Sequence, residues 1–332
     1  MDDRNEEVFR QYDIKIYNMY RARGAFVLET NQGLKLYKSF EGSKSHLEYE
    51  NRIKEKLWNS GYINIDLYMK NKANEMVTED NSGSKYIIKN WFQGEECNLR
   101  DMKDVVRTAG NLAILHNYLE NNHFTEEELK YYTQNNFSEV FEKHNRELRR
   151  VRSYVRDKKQ KNEFEVCFLN VFDQFYEQGE KAIHIIKESC YKALLEASME
   201  KQSICHGNYT YHNVILLKGE IATTNFEKAC VGIQVVDLYQ FLRKTMEKND
   251  WNISYAKTII DEYNRNRNIS KEEFNMLYVL LLYPEKFWKI TNFYYNGKKS
   301  WIPQRNIIKL KSIQEQNEPK NLFLHFMEEY IG

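Results

Sequence analysis

The residues best suited to chemistry crowd into one stretch, Cys205-His206-Gly207-Asn208 through His212-Asn213, followed shortly by Thr224-Asn225-Phe226-Glu227 and Cys230. Thiolate and imidazole are the usual ligands of zinc, so Cys205, His206, His212 and Cys230 invite that reading. Their spacing matches no common zinc pattern. The other cysteines, Cys97, Cys167 and Cys190, form no C-x-x-C pair and bring the total to an odd five, which fits free thiols in a reducing compartment. His116 in Leu-Ala-Ile-Leu-His lies one helical turn from Leu112 and reads as a packed helix residue. A second chemical signal is the basic run over 146–161, Arg-Glu-Leu-Arg-Arg-Val-Arg-Ser-Tyr-Val-Arg-Asp-Lys-Lys-Gln-Lys, with Leu148, Val151 and Val155 on one helical face. It is either a solvated helix face or a docking surface for an anionic partner, centred on Arg149, Arg150 and Arg152.

These residues need elements to hold them. Ala25–Leu28 and Leu34–Tyr37 are rich in β-formers around the turn Asn31-Gln32-Gly33, which predicts a hairpin. Over 44–59, Leu47, Ile53, Leu57 and Trp58 recur near helical period until Ser60-Gly61 stops them. Extended pieces are expected at 62–68, 75–79 and 85–92. After Gln93-Gly94 the pattern turns helical, at about 101–120, 138–158, 161–197, 235–248, 253–264 and 271–283, with a further helix near the C-terminus. The exception is 203–226, where short β-like pieces flank the loop at His206-Gly207-Asn208.

At 332 residues the chain exceeds what one hydrophobic core comfortably serves, so two lobes are expected, divided as 1–92 and 93–332. The fold class is α+β. A formal net charge of +1 gives no global attraction to nucleic acid or to an anionic membrane. The charged N-terminus lacks an apolar leader, and no apolar run approaches the ~18 residues of a membrane span, so synthesis and folding in the cytoplasm are expected.

The segment Cys205–Leu216, C-H-G-N-Y-T-Y-H-N-V-I-L, resembles the catalytic loop H-G-D-x-x-x-x-N of the aminoglycoside and choline kinase superfamily, with Asn208 at the Asp position. Thr224–Glu227, T-N-F-E, stands where that superfamily has the metal-binding D-F-E, again with an amide, Asn225, for the acid. The wider match is to bacterial spore-coat proteins of the CotS type. Residues 225–244 are similar to their D-F-E-K-A and D-L-Y-x-F-L-R-K segments, and W-F-Q-G-E-E-C, L-A-I-L-H and Y-P-E-K-F-W-K-I-T-N-F-Y-Y-N resemble further segments in the same order. Four ordered motifs spread over nearly the whole chain carry more weight than a lone H-G-N.

The resemblance implies a two-lobed protein-kinase-like fold and a place in the spore coat. It implies that Lys35 contacts phosphate and pairs with Glu50, with Glu48 as the fallback, and that Lys35 and Asn225 face one cleft. Asn90-Trp91-Phe92 become a hinge, with Trp91 and Phe92 at the nucleotide position, where an adenine could meet main-chain groups. His206 becomes a structural member of the catalytic loop, and Asp237 braces that loop by accepting hydrogen bonds. Asn213, Asn225 and Glu227 are the candidate magnesium ligands. No G-x-G-x-x-G is present, and the one glycine near the expected phosphate loop is Gly24.

The two amides determine the functional expectation. Asn208 cannot take a proton, so a general-base contribution of roughly 10²–10⁴-fold is lost if the family Asp supplies it. Asn225 offers magnesium a neutral oxygen where phosphoryl-transfer sites normally supply a carboxylate. The expectation is a catalytically impaired, pseudokinase-like component made in the mother-cell cytoplasm and deposited on the spore coat among other coat proteins. It requires no cofactor and binds ATP and magnesium weakly if at all. The alternative is an ATP-dependent phosphotransferase acting on a small hydroxyl-bearing molecule, with Glu227 or a substrate group compensating for the lost acids.

Overall fold

A computed structural model describes residues 3–22, 24–297 and 303–331. The chain divides into two compact units: 1–98 with 117–119 and 206–229, and 99–116 with 120–205 and 230–332. The division differs from a single cut after residue 92. The segment 206–229, expected to belong with the helices, joins the β-rich unit instead.

The first unit opens with helix α1 (Asp3–Phe9) and strands β1 (Ile16–Ala22), β2 (Ala25–Thr30) and β3 (Gly33–Ser39). Helix α2 (Lys44–Asn59) follows, and then β4 (Tyr68–Met69), β5 (Val77–Glu79) and β6 (Lys85–Asn90). The antiparallel sheet runs β1-β2-β3-β6-β4, with β5 also on β6. The predicted hairpin is present as β2 and β3, paired from Phe26 with Tyr37 to Thr30 with Gly33. β1 had no clear sequence signal, because this edge strand is mostly exposed and shows no buried alternation. α2 spans the predicted 44–59, its N-cap Ser43 accepting from the His46 amide.

Strand parity decides which side chains share a face. Tyr37 and Ile88 pack with Val8, Phe9 and Tyr12 of the N-terminal segment, and the Phe9 and Tyr37 rings meet edge-on at 4.9 Å. Leu36 and its register partner Lys89 therefore point to the opposite face, toward α2. A second small sheet joins Glu95–Glu96, Val214–Leu216 and Ile221–Thr223 and fixes the loop segment to this unit.

The second unit is helical: α3 (Met102–Tyr118), α4 (Glu126–Tyr131), α5 (Phe137–Asp157), α6 (Glu163–Glu188), α7 (Tyr191–Glu200), α8 (Val235–Lys248), α9 (Ile253–Asn266), α10 (Lys271–Leu282), α11 (Glu285–Asn296), α12 (Pro303–Glu315) and α13 (Asn317–Ile331). Its core interleaves Leu148, Phe168, Phe172, Phe287, Ile290 and Leu310. Capping boxes at Asn162 with Glu165 and Ser270 with Glu273 start α6 and α10. The predicted helix 161–197 is interrupted. Ser189 is extended, and its hydroxyl donates to the Ile186 carbonyl and accepts from the Tyr191 amide, so a side chain ends α6 without Gly or Pro.

Candidate functional site

Lys38, not Lys35, is the β3 lysine on the side of α2 and the loop. Lys35 shares the parity of Tyr37, and its ammonium donates at 2.8 Å to the side chain of Asn90, its register partner on β6. Lys38 shares the parity of Leu36 on the α2 side, where it forms an ion pair with Glu227. The expected Lys35–Glu50 pair and the shared face for Lys35 and Asn225 are thus corrected. A lysine three residues away in sequence lies on the other face of a strand.

Glu50 instead anchors a buried charge cluster. Its carboxylate lies 2.6 Å from Lys54 of the same helix and 3.3 Å from Lys89 of β6. Asp66 completes the cluster, 2.9 Å from Lys54 and 3.4 Å from Lys89, while Glu227 stands 3.9 Å from Lys89. Burial alone would raise the Glu50 carboxyl, but Lys54 and Lys89 outweigh it and hold it at about 2. Lys89 titrates well above its usual range: burial opposes the charge, and Asp66 and Glu50 more than compensate. For Lys54 burial wins over its two carboxylates, with Lys89 adding repulsion, and its ammonium is weakened. Each ion has a partner, as buried charges require. The Glu50–Lys54 spacing was visible as i,i+4, whereas nothing local marks Asp66 or Lys89 as its company.

The loop 206–229 lies against this cluster within the same unit. Gly207 has φ +74°, and a Cβ there would sit 1.9 Å from the Lys228 carbonyl, so no other residue fits without moving the backbone. His206 is fully buried; its Nε2 faces the Thr224 carbonyl at 3.0 Å and its Nδ1 accepts the Asn208 amide at 3.3 Å, fixing the tautomer. Asn213 donates to the Asn208 carbonyl at 2.8 Å, and the Asn225 amide side chain donates to Asn213 Oδ1 at 3.4 Å. The structure therefore brings together Asn208, Asn213, Asn225, Glu227 and His206 as the sequence suggested.

Asn225 is the most constrained of them. It holds φ +66°, a region uncommon for residues other than glycine though tolerated by Asn. Its backbone N–H donates to Asp66 Oδ2 at 3.1 Å. Its side-chain Oδ1 is buried and has no hydrogen-bond partner among the described residues. A buried oxygen without a donor is a costly feature, and a cation would satisfy it.

In the hinge segment the Trp91 amide donates to the Leu34 carbonyl at 3.0 Å, and Trp91 and Phe92 are both half-buried. Gly24 closes the β1–β2 turn at φ +65° with open space around it. Asp237 belongs to the helical unit, fully buried at the start of α8, where its Oδ2 lies 3.1 Å from Nε2 of His116. His116 also meets the Tyr263 hydroxyl at 2.6 Å. Burial lowers its basicity even though Asp237 favours the cation. The packed-helix reading of His116 missed this pairing across 121 residues. In the basic helix Arg149 and Arg150 are exposed, but Arg152 forms an ion pair with Asp173 and lies over the Phe172 ring.

An aminoglycoside phosphotransferase from Alicyclobacillus acidocaldarius superposes with a TM-score of 0.87 at 18% identity, covering 98% of this chain and 96% of that one. A spectinomycin phosphotransferase solved with ADP and spectinomycin superposes with a TM-score of 0.70 at 13% identity, covering 97% of each chain. These likenesses establish the kinase-like α+β fold. Spore coat protein S of Bacillus subtilis (strain 168) is 22% identical over 168 residues, which span 50% of this chain and 48% of that protein, about half the length of this curated relative. The model of the family described as "Spore coat putative kinase YutH" matches residues 5–327, and the chain belongs to that family.

Proposed function

We propose that this protein serves the spore coat as a kinase-fold component whose phosphoryl-transfer site is impaired. The observation that carries the reading is the pair Asn208 and Asn225. The scaffold around them is intact: Gly207 keeps its tight approach, His206 keeps its two bonds, and Asn213 ties Asn208 to Asn225. At the two positions themselves an amide replaces a carboxylate, so a substrate hydroxyl finds no proton acceptor at Asn208. Glu227, the nearest carboxylate in the motif, is already engaged by Lys38. Family membership and the relationship to spore coat protein S support deposition in the coat.

One observation favours a second reading, a working ATP-dependent phosphotransferase on a small hydroxyl compound. The orphaned Oδ1 of Asn225 fits a cation, with Asn213 and Glu227 as further oxygen donors. Bound magnesium would neutralise phosphate charge at that position. Two amides and one carboxylate make a weakly attracting set for it.

The two readings separate in one experiment on the full chain. Melting temperature is measured with magnesium and ATP, ADP or neither, and phosphate release from ATP is followed in parallel. A ligand that binds only the folded state raises the melting temperature. A small or absent shift with no turnover supports the impaired site, whereas a magnesium-dependent shift with sustained phosphate release supports the enzyme.

A further inference from the structure

Two segments singled out in the sequence, D-L-Y-Q-F-L-R-K and Y-P-E-K-F, play no part in the site above, yet they converge in the helical unit. Arg243 of α8 and residues 283–287 line a recess of about 440 Å³, mouth included, closed by Trp251, Ile313 of α12 and Lys320 of α13. Of this, about 40 Å³ is cavity proper, room for a few waters or one small polar head group, and the rest is its open mouth.

Its charges do not balance. Arg243 lies 2.7 Å from Glu247 and 3.7 Å from Glu285, and Lys286 lies 3.3 Å from Glu247. These ions account for both carboxylates of the lining. Lys320 is left over: among the described residues no carboxylate lies within ion-pair distance, and its ammonium has only the Leu282 carbonyl at 3.4 Å and the Trp251 ring at 5.7 Å. Burial, with Arg243 adding repulsion and Glu247 opposing it, lowers Lys320 to about 8, so it is still mostly charged at neutral pH.

Two donors also lack acceptors. Trp251 Nε1 and Arg243 Nε are buried without a hydrogen-bond partner, and Trp251 as a whole is 6% exposed. Trp251 and Asp250 hold φ +57° and +48°, an outlying conformation for a bulky residue. The Trp251 amide closes the C-terminus of α8 onto the Met246 carbonyl at 3.0 Å. A strained backbone thus places an indole N–H and a spare ammonium at one apolar recess walled by Phe175, Leu281 and Phe287.

We propose that this recess binds a small monocarboxylate with a short apolar tail, its head group taken by Lys320, Trp251 Nε1 and Arg243 Nε and its tail by the apolar wall. One uncompensated cation matches one negative charge. Two donors without acceptors and an ammonium with N–H groups to spare match the lone pairs of a carboxylate.

The test uses hexanoate, with hexylammonium of equal chain length as the control. Hexanoate raises the melting temperature of the full chain and shifts the indole N–H resonance of Trp251; hexylammonium does neither. Lys320→Met keeps the stem and removes the charge, so hexanoate affinity falls by about tenfold or more, as expected for a charge-assisted hydrogen bond. Trp251→Phe keeps a ring and removes the donor, which weakens binding by a smaller factor and serves if the first variant folds poorly. No response to hexanoate, an equal response to hexylammonium, or unchanged hexanoate affinity in both variants overturns the proposal.

Discussion

Lys38 on β3 and Glu227 in the loop are joined by an ion pair across 189 residues of sequence, whereas Lys35 on the same strand bonds to Asn90 on the opposite face. The pair engages the one carboxylate of the Thr224–Glu227 segment. If nucleotide binds, Lys38 is the side chain positioned to exchange this carboxylate for a phosphate.

Lys38→Met should therefore abolish any rise in melting temperature produced by magnesium and ADP. Lys35→Met should leave that rise intact while costing some stability through loss of its part-buried bond to Asn90. The comparison is read by thermal denaturation with and without ligand. An equal loss in both variants would contradict the face assignment drawn from strand parity.

Restoring the acids tests the impaired-site reading. Asn208→Asp together with Asn225→Asp should raise magnesium-dependent nucleotide binding and give measurable ATP hydrolysis, with either change alone doing much less, because base and metal act together. Asn225→Asp places a carboxylate beside the bond between the Asn225 amide and Asp66, so the free variant should lose about 1 kcal/mol and recover it with magnesium. Original protein that hydrolyses ATP as fast as the double variant would remove the basis for calling the site impaired.

The buried cluster should make itself felt in acid. The folded-state carboxyl of Glu50 at about 2 lies below its usual 4.5, so folding is favoured when it is ionised. The sign follows directly: the unfolded chain binds the proton first, so this stability is present above about pH 4.5 and is lost as pH falls toward 2. It amounts to something on the order of 3 kcal/mol. Glu50→Gln should flatten the pH dependence of unfolding free energy in that window. It should also destabilise the protein at neutral pH by about 3–5 kcal/mol, because Lys54 and Lys89 are left with too little negative charge. Urea unfolding at several pH values measures both effects.

The basic helix offers a cleaner probe than its three arginines together. Arg149 and Arg150 are exposed, so reversing both to Glu should change the melting temperature little, whereas Arg152→Glu breaks the contact with Asp173 and the Phe172 ring and should cost about 1 kcal/mol. Reduced coat incorporation of Arg149→Glu/Arg150→Glu at unchanged stability would identify an anionic docking partner. Normal incorporation would assign this face to solvent.

What the sequence determined by itself was local or linear. The β2–β3 turn, the extent of α2, most helices of the second unit and the order of the motifs rest on interactions between residues close in the chain, and these could be read directly. Asn208, Asn213 and Asn225 also came together as their motifs suggested, since one loop and one short sheet carry them. Tertiary structure alone decided which lysine faces the loop, because a shift of three positions along a strand reverses the face and both candidates are lysines. It also decided that Lys54, Lys89, Glu50 and Asp66 share one buried site and that His116 meets Asp237. These ions are drawn from separate elements, and a charge reads as solvated until packing removes its water and leaves it one set of partners.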